Sequence, residues 1–262
     1  LGGWHGIFWT LAGFTTVLAL ALAWQLDESH PPERRTRFAP RPLLAGYRAF
    51  GRDRLFWPLL ISCSVNFAGL FLYIASAPRI VRELLHLSAR GFPWLFLPVV
   101  AGLVGGAWLS GRMAGKRSAG FTVQLGYAVM LLACALHLLL ALSFPAPRLP
   151  WSMLPLLVHG IGVQLAFPTL TLLLLDRFPH HRGGISSVQA FASLLLCSAV
   201  AGVMSPLLSG SMLSLALGAS VLTIVGALAW WWHHAITRRK LDQPLAGTGP
   251  VAVMQAEIVE PR

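Results

Sequence analysis

Acidic residues are scarce in this sequence: nine Asp and Glu stand among 262 residues. None of the nine falls inside a long apolar run, and no Lys or Arg does either. Charged residues make up 11% of the chain, where a soluble domain carries about a quarter. That shortage excludes a water-soluble globular fold of this length. Cysteine is sparse too. Cys63, Cys134 and Cys197 each sit in apolar sequence, with no CxxC pair, and read as small buried hydrophobes outside any disulfide framework or metal site. Motifs of the GxSG or GxSxG type are absent, since "GAS" at 218–220 is followed by Val221. An intramembrane serine enzyme, which needs an activated Ser with a base in reach, is disfavoured on that count. A seven-helix sensor with a retinal-type Schiff base lacks the intramembrane Lys it would need. No enzymatic role is expected.

Apolar sequence is what remains. Hydrophobic residues are 56% of the chain, with ten Trp and fourteen Phe. Runs of roughly 20 residues, long enough to cross a bilayer, occur at about 6–26, 55–77, 92–111, 121–144, 151–175, 184–208 and 211–232. The fold class is therefore an all-α polytopic membrane protein with seven transmembrane helices. The net charge of +11 does not point to nucleic acid, because the positive residues crowd into alternate loops. Sixteen of the twenty Lys and Arg lie in loops 27–54, 112–120, 176–183 and the tail, against Arg79, Arg82, Arg90 and Arg148 on the other side. Such asymmetry encodes orientation. It places the first set and the C-terminus in the cytoplasm and residue 1 on the extracytoplasmic side of a bacterial inner membrane.

Loop lengths divide the chain unevenly. Residues 1–26 form one helix, 27–54 a long basic linker, 55–234 six closely spaced helices, and 235–262 a polar tail expected to be disordered. Within the linker, Leu44, Tyr47 and Phe50 alternate with Arg48 and Arg52 like a short helix lying on the membrane surface. One helix, a linker and six helices is the pattern of a six-plus-six transporter that lacks its first five helices. The expectation is that the chain holds the last helix of one half and a complete second half.

The sequence resembles a known family at several points. "GWHGIFWTLAG" followed by "LDES" is similar to the sixth helix of the bicyclomycin-resistance (Bcr/CflA-type) drug exporters of the major facilitator superfamily. "NFAGLFLYIASAPRIV" at 66–81 resembles their seventh helix, "LSARGFPWLFLPVVAGLVGGAWLSGR" the next loop and eighth helix, and "HRGGISSVQAFASLL" the entry to their eleventh. The resemblance implies export of a small drug-like substrate coupled to the proton gradient, with no bound cofactor, and a partner in the N-terminal half of the same transporter. The superfamily's cytoplasmic loop motif departs here. "GAWLSGRMAGKR" keeps Arg112, Lys116 and Arg117 but carries Gly111 at the acidic place. The basic cluster then reads as an anchor to anionic lipid, alongside the alternative of a charge-relay latch.

Polar residues inside apolar spans are the candidates for transport chemistry. Ser62, Asn66, Gly69, Tyr73 and Ala77 share one helical face, as do Gly160, Gln164 and Thr171, and Ser186, Gln189, Ser193 and Cys197. Asn66, Phe67, Tyr73, Gln164, Phe167 and Gln189 are the candidate substrate-cavity residues, with interhelical hydrogen bonding as the other reading. His137 and His159 are the titratable groups at depth, and His159 is the candidate proton group. Pro98, Gly102, Gly106 and Pro168 are candidates for helix packing or gating: small residues every four positions permit close approach, and proline frees a carbonyl. The His180–His181 and His233–His234 pairs have no acidic or Cys partner nearby in sequence, and no metal site is expected.

Overall fold

The computed structural model describes residues 3–26, 46–48, 50–144 and 146–242, with side chains as far as 238. Among the described residues, seven helical spans are long and apolar enough to cross a membrane. They are α1 (Gly3–Gln25), α2 (Phe56–Leu84), α3 (Ala89–Met113), α4 (Ala119–Ser143), α5 (Trp151–Asp176), α6 (Pro179–Leu208) and α7 (Met212–Arg238). Among the described residues there is no strand. The chain divides into two compact units, 1–42 and 43–262.

The first unit is α1. Apolar residues occupy every face of this helix, as a lipid-spanning segment requires. Its few hydroxyls are satisfied locally: Thr10 donates to the Gly6 carbonyl at 2.8 Å, and Thr16 to that of Ala12 at 2.8 Å. The threonine hydroxyls therefore need no partner from lipid.

The second unit is a six-helix body. In space α5 lies between α3 and α4, α7 packs on α4 and α2, and α6 on α2. Helix α2 is the most enclosed, whereas α6 is largely exposed and presents Phe191, Leu194, Leu195 and Leu207 outward. Two spans, α2 and α6, contain turns that depart from regular α-helix. In α2 the helix Phe56–Val65 is interrupted at 66–67, resumes at Ala68–Ala75, and ends in a π-turn, Ile80–Leu84. In α6 a second π-turn occupies Val200–Met204. Pro98 and Pro168 lie inside α3 and α5, where each removes a ladder hydrogen bond.

Close packing centres on α5. A Cβ on Gly102 would collide with the Leu157 carbonyl oxygen, and one on Gly106 with that of Ile161. On the opposite side, a Cβ on Gly162 would lie 2.7 Å from the Gly126 oxygen. Glycine is present because the neighbouring backbone occupies the side chain's place.

Several boundaries differ from the sequence expectation. Helix α2 continues past residue 77, since Pro78 sits at the start of a new turn and needs no N–H there. The last helix runs on to Asp242, so residues 235–242 are helical and not disordered. No Gly or Pro interrupts them, and their basic residues favour a helix C-terminus. Residues 243–262 lie outside the described residues. Within the linker, 46–48 and 50–52 are helical and belong to the six-helix body. Phe50 is 3% exposed and meets Phe178 with ring centroids 4.8 Å apart. That ring faces protein and not lipid, because Phe56, Phe178 and His181 offer it an aromatic pocket. Leu44 lies outside the described residues.

Overpacking tests the α3–α5 contact. Gly102→Val is expected to destabilise the purified protein by about 1–3 kcal/mol. Gly105→Ala, whose new methyl would meet only the Ile161 side chain at 3.8 Å, should be tolerated. Thermal unfolding in detergent compares the two.

Candidate functional site

Polar side chains inside the body gather along α2. The face made by Ser62, Asn66, Gly69, Tyr73 and Ala77 is buried throughout and turned toward α4, α5 and α7. Hydrocarbon cannot satisfy these groups, so they pair across helices. Tyr127 on α4 donates to the Ser62 carbonyl at 2.9 Å and lies 2.8 Å from the Ser62 hydroxyl. Asn66 directs its amide nitrogen at Met130 Sδ, 4.0 Å away, while no described residue partners its Oδ1. Tyr73 stacks on His137 with centroids 4.8 Å apart and planes 5° from parallel. At Gly69, Thr223 and His159 converge within 3.3 Å of where a Cβ would be. Buried Nε2 atoms of His137 and His159 have no hydrogen-bond partner among the described residues.

A second cluster ties α2 to α5 and α6. Gln189 donates from Nε2 to Cys63 Sγ at 2.9 Å and to Thr171 Oγ1 at 3.0 Å. Cys63 and Ser62 are adjacent on α2, so the two clusters meet there. Gln164 is in neither. It is half-buried, makes no hydrogen bond with a described residue, and lies with its Cβ 3.0 Å from the ideal Cβ position on Gly106. Phe67 and Phe167 are half-buried and pack against the core. The structure thus brings Asn66 and Tyr73 to one interior face, joins Gln189 to Cys63 and Thr171, and leaves Gln164 free of both.

The two ends of the body differ in charge. At one, Asp53 accepts two hydrogen bonds from Arg177, at 2.6 and 3.0 Å, and Asp176 pairs with Arg182 at 2.6 Å. Arg112 lies over Trp108 at 4.0 Å and Arg117 over Phe121 at 5.6 Å, with Lys116 exposed between them. At the opposite end Arg79 donates to the Ser209 hydroxyl at 2.9 Å and the Pro206 carbonyl at 3.2 Å, locking the end of α2 to the α6–α7 turn. Nearby the Ser76 and Ser205 hydroxyls are 2.8 Å apart. Sequence reasoning missed the Asp53–Arg177 pair and the Arg79 lock. Each joins residues more than 120 positions apart, and neither has a local signature. No cluster of three His, Cys, Asp or Glu suited to a metal occurs among the described residues.

Residues 1–206 match the family model described as the Major Facilitator Superfamily. The chain is also similar to an uncharacterized MFS-type transporter, YdgK, of Bacillus subtilis (strain 168), at 22% identity over 246 residues. The match covers 92% of this chain and 58% of that relative, so the chain spans less than two thirds of the relative's length.

Gln189 and Gln164 separate structural from exposed roles. Gln189→Leu breaks two interhelical bonds and is expected to cost about 1 kcal/mol. Gln164→Leu breaks none and should leave the melting temperature in detergent unchanged. Equal effects would contradict the arrangement. A double-mutant cycle on Asp53→Asn and Arg177→Gln should give a coupling of up to about 1 kcal/mol, at the upper end for a partly exposed pair.

Proposed function

We propose a function from one premise: the chain belongs to the major facilitator superfamily, whose members are membrane transporters. In this reading it is part of a proton-driven exporter of small amphipathic, drug-like molecules in a bacterial inner membrane, working by alternating access. The match over residues 1–206 is the observation that carries the proposal. The compact six-helix body, distinct from the unit that holds α1, supports reading it as one complete half of a two-half transporter. Its partner is then a second six-helix half, of which α1 is the last helix. The Arg112, Lys116 and Arg117 end is the cytoplasmic one by the positive-inside rule.

Within this body, substrate contacts fall to half-buried groups that the interior does not already occupy. Gln164, Phe67 and Phe167 meet that condition, and Asn66, the residue before Phe67, is buried with its Oδ1 unpartnered among the described residues. Proton exchange has few candidates here, because the interiors of these spans hold no Asp, Glu, Lys or Arg. His159 is the local group, and carboxylates of the partner half are the main ones. The substrate's apolar surface would be held by contact with the phenylalanine rings, which discriminates weakly among similar molecules.

Deleting the coding sequence from the source cells is expected to raise their accumulation of amphipathic fluorescent cations, and collapsing the proton gradient should do the same to wild-type cells. Unchanged accumulation after deletion would remove drug export as the function. Expressed by itself in a drug-sensitive host, the 262-residue chain should give no resistance above vector. Resistance from the chain alone would overturn the two-half reading.

A further inference from the structure

A cavity of about 410 Å³ opens where α3, α4 and α5 meet, at the Arg112 end of the body. Its polar wall is Arg117 with the hydroxyl residues Ser110, Thr122 and Thr169, and Gly111 and Leu172 complete the rim. A Cβ on Gly111 would meet nothing within 4 Å, so the space in front of this residue is open. Among the described residues no carboxylate pairs with Arg112, Lys116 or Arg117. A guanidinium and three hydroxyl side chains therefore surround a space that holds no negative charge of the protein's own.

Its position selects the ligand. Arg117 stands in the short connection between two membrane spans, at the level where lipid headgroups lie. Below it the cavity continues along exposed apolar residues, with Leu172 57% exposed. An amphiphile with an anionic phosphodiester and an acyl chain fits both parts. The α4 N-terminus also borders the cavity at Ala119, and its helix dipole adds to the attraction for an anion. A soluble protein partner would find no reason for the apolar continuation into the span.

We propose that this cavity is a binding site for one anionic phospholipid, with the phosphodiester held by Arg117 and the Ser110 and Thr169 hydroxyls, and an acyl chain lying along the α3–α5 groove past Leu172. The Thr122 hydroxyl already donates to the Ser118 carbonyl at 3.2 Å. The side-chain space left open by Gly111 admits the headgroup. This site is independent of the transport reading, because it needs only the six-helix body in a bilayer. Arg112 is the internal comparison: it is equally basic and one residue from Gly111, but it lies over Trp108 and outside the cavity.

Native mass spectrometry of the full chain, released from detergent containing equal phosphatidylglycerol and phosphatidylethanolamine of matched acyl chains, tests the site. Wild-type protein should retain one phosphatidylglycerol in preference. Arg117→Gln should reduce that preference on the order of fivefold, the effect of one basic residue at a membrane surface, while Arg112→Gln leaves it intact. Gly111→Leu, which fills the cavity without touching a charge, should also abolish it. Matched melting temperatures confirm that each variant is folded. No preference in wild type, equal losses for the two arginine variants, retention in Gly111→Leu, or inorganic phosphate bound where lipid is absent would each overturn the proposal.

Discussion

Hydrocarbon gives apolar helices no hydrophobic reason to associate, so this body depends on how closely its backbones can approach. Helix α5 is where that approach is closest. Gly102 and Gly106 bring α3 against the Leu157 and Ile161 carbonyls, and Gly126 and Gly162 bring α4 against the other side. At such separations many weak dispersion contacts accumulate along both seams. Larger side chains at these points would hold the helices apart and open the whole layer. The remaining helices are arranged around this three-helix plate, α7 on α4, α2 on α7 and α6 on α2.

Polar pairing takes over where glycine stops. Helix α2 packs without a glycine seam comparable to that of α5, and it carries the Ser62–Tyr127, Gln189–Cys63 and Ser76–Ser205 contacts instead. Each such bond adds on average about 0.6 kcal/mol in a membrane interior. Their larger effect is to fix register, since a hydroxyl has no alternative partner in the surrounding lipid. The unpartnered atoms of Asn66, His137 and His159 stand out against this rule. Asn66 lies at the interruption in α2, and His159 and His137 meet the same helix further along, at Gly69 and Tyr73.

The sequence made some of this arrangement legible and concealed the rest. Seven spans could be read because about 20 apolar residues in a row admit few other structures. The stripe from Ser62 to Ala77 was legible as one face from its spacing alone. Its destination was open, since a polar face suits a protein interior as well as an aqueous cavity, and the structure turns it to α4, α5 and α7. Phe50 was read as facing lipid because amphipathic periodicity does not say which apolar medium a face meets. Phe178, more than 120 residues away, decides it. The π-turns were not legible either. Nothing in "IVREL" or "VAGVM" demands a wider turn.

These differences bear on how such a body can move. Along the glycine seams the backbones of α3, α4 and α5 leave no room for a side chain between them, so rotating one of these helices would bring its side chains against neighbouring carbonyl oxygens. Pro98 and Pro168 lie within these three helices. Helices α2 and α6 are different. Both carry a π-turn, α2 is also interrupted at 66–67, and π-turns commonly mark functional positions. The two are joined near those turns by the Ser76–Ser205 contact and by Arg79 reaching Ser209. Bending in this pair requires exchange of a few hydrogen bonds, whereas bending in the plate requires backbones to separate. Motion confined to α2 and α6 would change the surroundings of Asn66, Phe67 and Gln189 while leaving the glycine seams closed.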